Sequence, residues 1–166
     1  MVFDLENLGC LNDLGGTTQE RLRGLWLELK LACKKQGRQQ PSNRGFSKNI
    51  LRRKPGEYPE MASYWKAAHV KAVCYFVAQR TIELHVPGDD HSNVRTTCAW
   101  AWLQMNRLVD SSGRWFTDTQ RLEFHDAGML YLQTWQKLAE EASSNDEKLF
   151  RIRPKHHYLH HQIQAA

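Results

Sequence analysis

The stretch TTQERLRGLWLELKLACKKQG, residues 17–37, determines the fold class because it carries each signal of an amphipathic helix. Thr17 and Glu20 stand at the spacing of a capping box, which satisfies the first backbone donors of a helix. Gly37 is placed to end the helix. Between them, apolar residues recur at steps of three and four: Leu22, Leu25, Trp26, Leu29, Ala32 and Cys33. This period predicts a helix with one buried face.

Two further long segments have helical character. Pro59 suits the first turn of a helix that reaches about His85, before the break at 87–90, and residues 67–78 are apolar on nearly every side. Another helix is expected from Ser92 or Asn93 to the break at 110–113. Its predicted buried face holds Val94, Thr97, Cys98, Ala101, Met105 and Leu108.

A second capping box, Thr117-x-x-Gln120, predicts a helix that runs to about Ser143. Its expected inner residues are Leu122, His125, Met129, Leu132, Trp135 and Leu138. Residues 145–147 then predict a short helical turn before Pro154, and a last helix holds most of the histidines.

Strand signals are limited to about the first dozen residues, so we predict an all-α protein. The expected architecture is a single-domain bundle over 1–166, with about four long helices and short helices at its edges. Within it, 38–57 is expected to be a basic loop and 151–166 a basic, histidine-rich C-terminal helix.

Composition places the chain among globular proteins, with 41% hydrophobic and 25% charged residues. The four cysteines are far apart and form no C-x-x-C pair, which argues against a zinc ribbon or a redox pair. The start of the chain has no pattern typical of a secretory signal, so an intracellular, reducing location is expected. The longest apolar run, AVCYFVA at 72–78, is too short to span a membrane.

The net charge of +5 is concentrated in one segment. Residues 29–56 contain nine Lys or Arg and no acid, whereas the rest of the chain has fourteen basic and eighteen acidic residues. Such an asymmetry is typical of a nucleic-acid or acidic-partner contact, although a charge run is also compatible with a solvated face. The candidate contacts in this region are Lys34, Lys35, Arg38, Arg44, Lys48, Arg52, Arg53 and Lys54.

The tail, RIRPKHHYLHH at 151–161, offers a second anion-facing strip through Arg151, Arg153 and Lys155. It also contains H-x-x-x-H twice, and His157 with His161 is the candidate metal pair, with zinc as the candidate ion. The glutamate that zinc peptidases place after the first histidine is missing. We therefore favour a helix whose histidines pack or face solvent without metal, and we expect no cofactor.

Signals of catalysis are few. The chain has no G-x-S-x-G elbow, no phosphate-cradling glycine loop and no kinase motif set, which favours a non-catalytic protein. Cys33 precedes two lysines, but its place on an apolar helix face favours a role in the core. His69, inside the apolar 67–78 segment, is expected to be a buried structural histidine.

Three segments carry a resemblance to a known group. ENLGCLNDLGG at 6–16, CAWAWLQMNRLVDSSGRW at 98–115 and the Pro154, Lys155, His157, His161 element of the tail resemble the C-terminal helical region of transposon-derived, transposase-like proteins, including relatives of dinoflagellate type. YPEMASYWKAAHVKAV at 58–73 is similar to an intervening stretch. The D-x-x-H element that precedes the head segment in these families would lie before Met1. The resemblance therefore implies a helical part without a full acidic triad, and a nuclear location.

Three functions follow as hypotheses. The first is a non-catalytic helical module that contacts nucleic acid through its basic segment. The second is an accessory or scaffold subunit that binds a protein partner through exposed Trp65, Trp100 or Trp115. The third is a metal-dependent hydrolase that uses the histidine cluster of the tail.

Overall fold

The computed structural model describes residues 1–7, 9–37, 40–41, 45–47, 51, 57–58 and 67–165. A short helix, α1 (Val2–Asn7), and a 3-10 turn (Asn12–Leu14) precede five longer helices. These are α2 (Thr18–Lys35), α3 (Ala67–Glu83), α4 (Asp90–Ser111), α5 (Asp118–Ser144) and α6 (Pro154–Ala165). No strand occurs in the described ranges, and the all-α fold class is confirmed.

The chain forms two compact units, Met1–Val77 and Ala78–Ala166, and the division falls within α3. The assignment of 1–166 to one domain stays a prediction. Most of the basic loop expected at 38–57, and the expected start of a helix at Pro59, lie outside the described residues. None of the described helices is both long and apolar enough to cross a membrane.

In the first unit, α2 forms as its sequence predicts. The Thr17 hydroxyl accepts from the Glu20 backbone N–H at 3.2 Å, and the Glu20 carboxylate accepts from the Thr17 N–H at 2.9 Å. That second bond is the main cause of the lowered pKa of Glu20. The predicted apolar face is buried at Leu22, Leu25, Trp26, Leu29 and Cys33. Gly37, with a φ of 62°, follows the last turn in the left-handed conformation that glycine tolerates.

Two aromatic rings anchor the core of this unit. Trp26 of α2 and Phe46 are both buried, and their rings meet edge to face with centroids 5.2 Å apart. The Gln19 side chain donates to the Phe46 carbonyl oxygen at 3.4 Å. His69 of α3 is buried, as expected. The first dozen residues, which carried the strand signals, instead contain α1 and the start of the 3-10 turn.

In the second unit, α4 and α5 pair as an antiparallel hairpin. The His91 Nδ1 atom at the start of α4 lies 2.8 Å from the Glu141 carboxylate near the end of α5. The buried residues along these helices include several small side chains, among them Ala99, Ala101 and Ala127, which allow close approach of the helices.

The start of α4 differs from the prediction. Helix α4 begins at Asp90 rather than near Ser92 or Asn93, because the Asp89 carboxylate accepts from the His91 N–H at 3.0 Å and caps the helix. Ser92 is consequently inside the first turn and fully buried.

The segment between α5 and α6 also differs, since residues 147–153 contain no helical turn. Asn145 caps α5, and the Glu147 N–H donates to the Ala142 carbonyl oxygen at 2.8 Å. Asp146 and Phe150 have φ values of 54° and 50°, so the chain reverses here. Pro154 then opens α6, as proline favours the first helical position.

Helix α6 packs antiparallel on α5. His156 near its start contacts Trp135, whereas Ile163 near its end lies against Gly128. A β-carbon at Gly128 would come within 2.5 Å of Ile163 Cδ1, so only glycine permits this approach. The prediction that Leu122 is an inner residue is wrong. Its side chain is 64% exposed, because α6 ends beside Gly128 and does not cover the first turns of α5.

The Gly128 contact gives a stability prediction. Gly128→Ala should destabilise the protein by up to about 2 kcal/mol, because roughly 1–3 kcal/mol of overpacking outweighs a gain of about 1 kcal/mol in helix propensity. Urea unfolding measures the change in the free energy of unfolding.

Ile163→Val provides the matched control. Alone it should cost about 0.5–1.5 kcal/mol, but in the Gly128→Ala background it should cost less, since it removes the Cδ1 methyl, one of the two Ile163 atoms that the new β-carbon meets; the other, Cγ1 at 2.6 Å, remains in valine. A Gly128→Ala variant that is more stable than the wild type would contradict the close packing of Gly128 against Ile163.

Candidate functional site

The start of α6 is held by a side chain of its own first turn. The His156 Nδ1 atom accepts from the backbone N–H of Arg153 at 3.1 Å, and the His156 N–H donates to the Arg153 carbonyl oxygen at 2.9 Å. In a capping box, a glutamate or glutamine side chain at the third helical position accepts a hydrogen bond from the N-cap backbone N–H, and His156 takes that role here. A proton on Nδ1 would remove this hydrogen bond, so the imidazole must be neutral with its hydrogen on Nε2.

The same ring packs on α5. Its centroid lies 5.3 Å from that of Trp135 and 6.4 Å from that of Tyr131, and Trp135 also meets Phe150 edge to face at 5.5 Å. The pKa of His156 is lowered, chiefly by burial and secondly by the charge of Arg153. One of the four tail histidines is thus a structural residue rather than a surface ligand.

His157 and His161 come together on an exposed face of α6. Their Nε2 atoms lie 3.0 Å apart and their rings meet at 78° with centroids 4.4 Å apart. One imidazole donates to the other at this distance. Two nitrogens of a tetrahedral zinc site, each about 2.0–2.1 Å from the ion, would lie roughly 3.3 Å apart, so the pair needs little movement to share a cation.

The part of the chain that the structure describes provides no third metal ligand beside this pair. No group of three or more His, Cys, Asp or Glu side chains converges there. The His125 Nδ1 atom lies 3.2 Å from the carboxylate of its neighbour Asp126. The proposal of zinc at His157 and His161 stays a prediction, and the geometry supports two protein ligands for it.

The tail surrounding these histidines is rich in basic residues. Residues 148–166 contain four Lys or Arg, four His and no Asp or Glu. Arg151 and Lys155 are exposed, and Arg153 is partly buried. Tyr158 lies in the same stretch with 67% of its surface exposed. Arg151 and Arg153 thus precede the first residue of α6, and Lys155 lies in its first turn.

The other predicted cations lie in the first unit or outside the described residues. Lys34 and Lys35 are exposed in the last turn of α2, where positive charge complements the helix dipole. The members of this set outside the described residues are Arg38, Arg44, Lys48, Arg52, Arg53 and Lys54.

A cavity of about 300 Å³ lies in the second unit among α4, α5 and α6. Its walls are mostly apolar or aromatic, and its polar groups include Lys155 and His156 at the start of α6. The lining residues are Trp102, Met105, Asn106, Val109, Phe124, Tyr131, Lys155, His156 and Leu159. Sequence periodicity did not reveal it, because the cavity depends on how three helices approach one another.

A buried polar cluster at the start of α4 was also missed. The fully buried Ser92 hydroxyl accepts from the Val86 N–H at 2.8 Å and lies 3.3 Å from His85 Nδ1. The guanidinium of Arg95, 1% exposed, donates to the same hydroxyl at 3.4 Å. Ser92, Arg95 and Ala99 follow a helical step of three and four, which is the signal that could have placed Arg95 inside. This cluster fixes the turn between α3 and α4.

The cysteines have no arrangement suited to catalysis in the described ranges. All four are free thiols, and Cys33 is buried on α2 as its spacing predicts. Burial raises the pKa of Cys74 and of Cys98 to about 11, so both thiols stay protonated and weakly nucleophilic near neutral pH.

The exposed tryptophans are Trp100 on α4 and Trp115 in the loop before α5, whereas Trp65 lies outside the described residues. Trp115 is 78% exposed, and the Arg114 guanidinium lies 5.4 Å from its ring centroid.

Comparison with protein-family models, curated proteins and solved structures gave no match for this chain. Function must therefore follow from the residues of the chain itself.

The place of His156 predicts a pH effect on stability. Because its folded pKa lies below the ordinary value of 6.5, the unfolded state binds more protons between the two values. The contribution of neutral His156 to the free energy of unfolding is complete above pH 6.5, and it is lost as the pH falls toward the folded pKa. Thermal unfolding between about pH 7.5 and 5 should show a steeper loss in the wild type than in His156→Gln, which keeps an acceptor for the Arg153 N–H.

His157→Gln is the matched control because that side chain is exposed on the same helix. It should retain the pH dependence of the wild type. Equal pH profiles for the wild type and His156→Gln would show that the buried imidazole is not the group responsible.

Proposed function

We propose that the chain is a non-catalytic helical module that contacts nucleic acid, as the resemblance to transposase-like proteins implies. The observation that carries the proposal is the tail around α6, an acid-free stretch of 19 residues with four Lys or Arg at residues 148–166. Exposed cations such as Arg151 and Lys155 can bind phosphates, with release of counterions.

The surface of α6 has the side-chain types that such a contact uses. Arg151 and Lys155 provide charge, and the exposed Tyr158 provides a ring for stacking on a base or sugar. His157 and His161 are exposed imidazoles that add hydrogen-bond donors beside these cations. The inward-facing His156 orients this surface because it fixes the rotation of α6 about its axis.

The basic segment at 29–56 supports the same proposal from the first unit. It has nine Lys or Arg and no acid; of its three described members, Lys34 and Lys35 are exposed and Lys30 is partly buried. Contacts with the phosphate backbone give affinity without base readout, so we propose binding with little sequence preference. A nuclear location would accompany this function.

The salt dependence of binding tests the proposal. Affinity for a labelled DNA duplex, measured by fluorescence anisotropy, should fall steeply between about 50 and 200 mM salt. The double variant Arg151→Gln with Lys155→Gln should weaken binding and reduce the slope of log K against log[salt] by roughly one for each phosphate interaction that the substitutions remove. Lys34→Gln with Lys35→Gln should act in the same direction if both basic regions contribute.

Arg107→Gln with Lys137→Gln is the matched control, because it removes the same charge from exposed positions on α4 and α5. This control should bind nearly as the wild type does. Salt-independent binding, or equal losses in the control and the tail variant, would refute a phosphate contact at α6.

One observation favours an accessory-subunit role as the second candidate, namely the 78% exposure of Trp115. Large exposed rings are typical anchors of protein interfaces. A photo-crosslinking amino acid at position 115, expressed in the native cell, should then give one defined protein adduct. The same probe at the exposed Lys137 serves as the control, and adducts shared by both positions would count against this role.

A further inference from the structure

The cavity among α4, α5 and α6 combines apolar, largely aromatic walls with polar side chains. Trp102, Phe124 and Tyr131 contribute aromatic walls, and Met105 and Leu159 add aliphatic surface. Such walls favour a flat apolar body, which gains from both burial and ring contacts. The volume of about 300 Å³ lies at the lower limit of ligand pockets, which indicates a small occupant.

We call the part of the lining formed by Lys155 and His156, in the first turn of α6, the polar end; the Tyr131 ring lies beside it, with its centroid 6.4 Å from that of His156. Lys155 brings a positive charge to the lining, and His156 follows it. Since His156 Nδ1 accepts from the Arg153 N–H, the ring hydrogen is on Nε2, which is therefore a donor. Asn106, by contrast, donates its amide Nδ2 to the Trp102 carbonyl oxygen at 2.9 Å. A cation and an N–H donor at one end of an apolar cavity fit an anionic head group.

We propose that this cavity is a binding site for a small aromatic carboxylate, with its ring between the aromatic walls and its carboxylate at Lys155 and His156. The carboxylate would accept a charge-assisted hydrogen bond from Lys155 and a second bond from the His156 ring. This proposal does not rest on the proposed nucleic-acid contact, because the walls of the site belong to α4 and α5 as well as α6, although the two sites share Lys155.

Isothermal titration calorimetry with indole-3-acetate tests the site on the full chain. A ligand of this size should bind with a Kd of roughly 0.1–1 mM. Indole-3-acetamide, which has the same ring without the charge, should bind at least about tenfold more weakly, because it lacks the charge-assisted bond. Equal binding of the two compounds would overturn the assignment of the polar end.

Val109 provides a blocking variant with little risk to folding, because it lines the cavity and is yet 50% exposed. Val109→Trp should fill the space and abolish titration heat, whereas Val109→Ala, the matched control, should keep binding. Circular dichroism and the unfolding midpoint verify that both variants are folded. Binding that survives in the folded Val109→Trp protein would place the ligand elsewhere, and no binding to the wild type would refute the site.

Lys155→Arg and Lys155→Met separate charge from shape. The arginine variant should retain most of the affinity for indole-3-acetate, and the methionine variant should lose the preference over the amide. Two variants that behave alike would show that Lys155 does not hold the carboxylate.

Discussion

The position of the His156 ring governs the second unit from α5 onward. Its Nδ1 atom caps the first turn of α6, and its faces pack near Tyr131 and Trp135 of α5. A single neutral imidazole thus sets where α6 starts and which way it is rotated. Because helical positions advance by about 100° per residue, an inward residue 156 leaves Lys155, His157 and Tyr158 on exposed faces.

The close contact of Ile163 with Gly128 holds the other end of α6. Two attachments about two helical turns apart fix the axis of a helix that would be marginal by itself, since isolated helices of 12 residues are scarcely stable in water. The cavity follows from this geometry. Helix α6 approaches α5 closely at both points, while Trp102, Met105 and Val109 of α4 line the space beside it.

The sequence predicted those features that are decided within a few residues. Both capping boxes, at Thr17 and Thr117, are present with both of their hydrogen bonds, because a cap needs only its own first turn. The apolar period located the buried face of α2, because which residues share a face depends only on their spacing within one helix. Asp89 was missed as a cap because Asp, Ser and Asn residues between 89 and 93 offer competing starts, and burial of Ser92 decides among them.

Features that depend on tertiary packing were not predictable in this way. The four tail histidines look equivalent in the sequence, yet contact with Trp135 makes His156 structural while His157 and His161 pair on the surface. Leu122 has the right spacing for burial, but none of the described helices covers it. The reversal at Asp146 and Phe150 uses positive φ at residues other than glycine, which local propensity disfavours. Packing of Leu149 and Phe150, both buried, offsets that cost.

Lys155 connects the two proposals made for α6. It is one of the exposed tail cations, and it also lines the cavity. A single ammonium group cannot give its full charge to a phosphate and to a carboxylate at the same time, so the two ligands would oppose each other. Linkage requires the effect to be reciprocal: the factor by which the carboxylate weakens nucleic-acid binding equals the factor by which nucleic acid weakens carboxylate binding. Since the antagonism passes through one side chain, replacing Lys155 with methionine should remove it, whereas Arg151 can be replaced without affecting it.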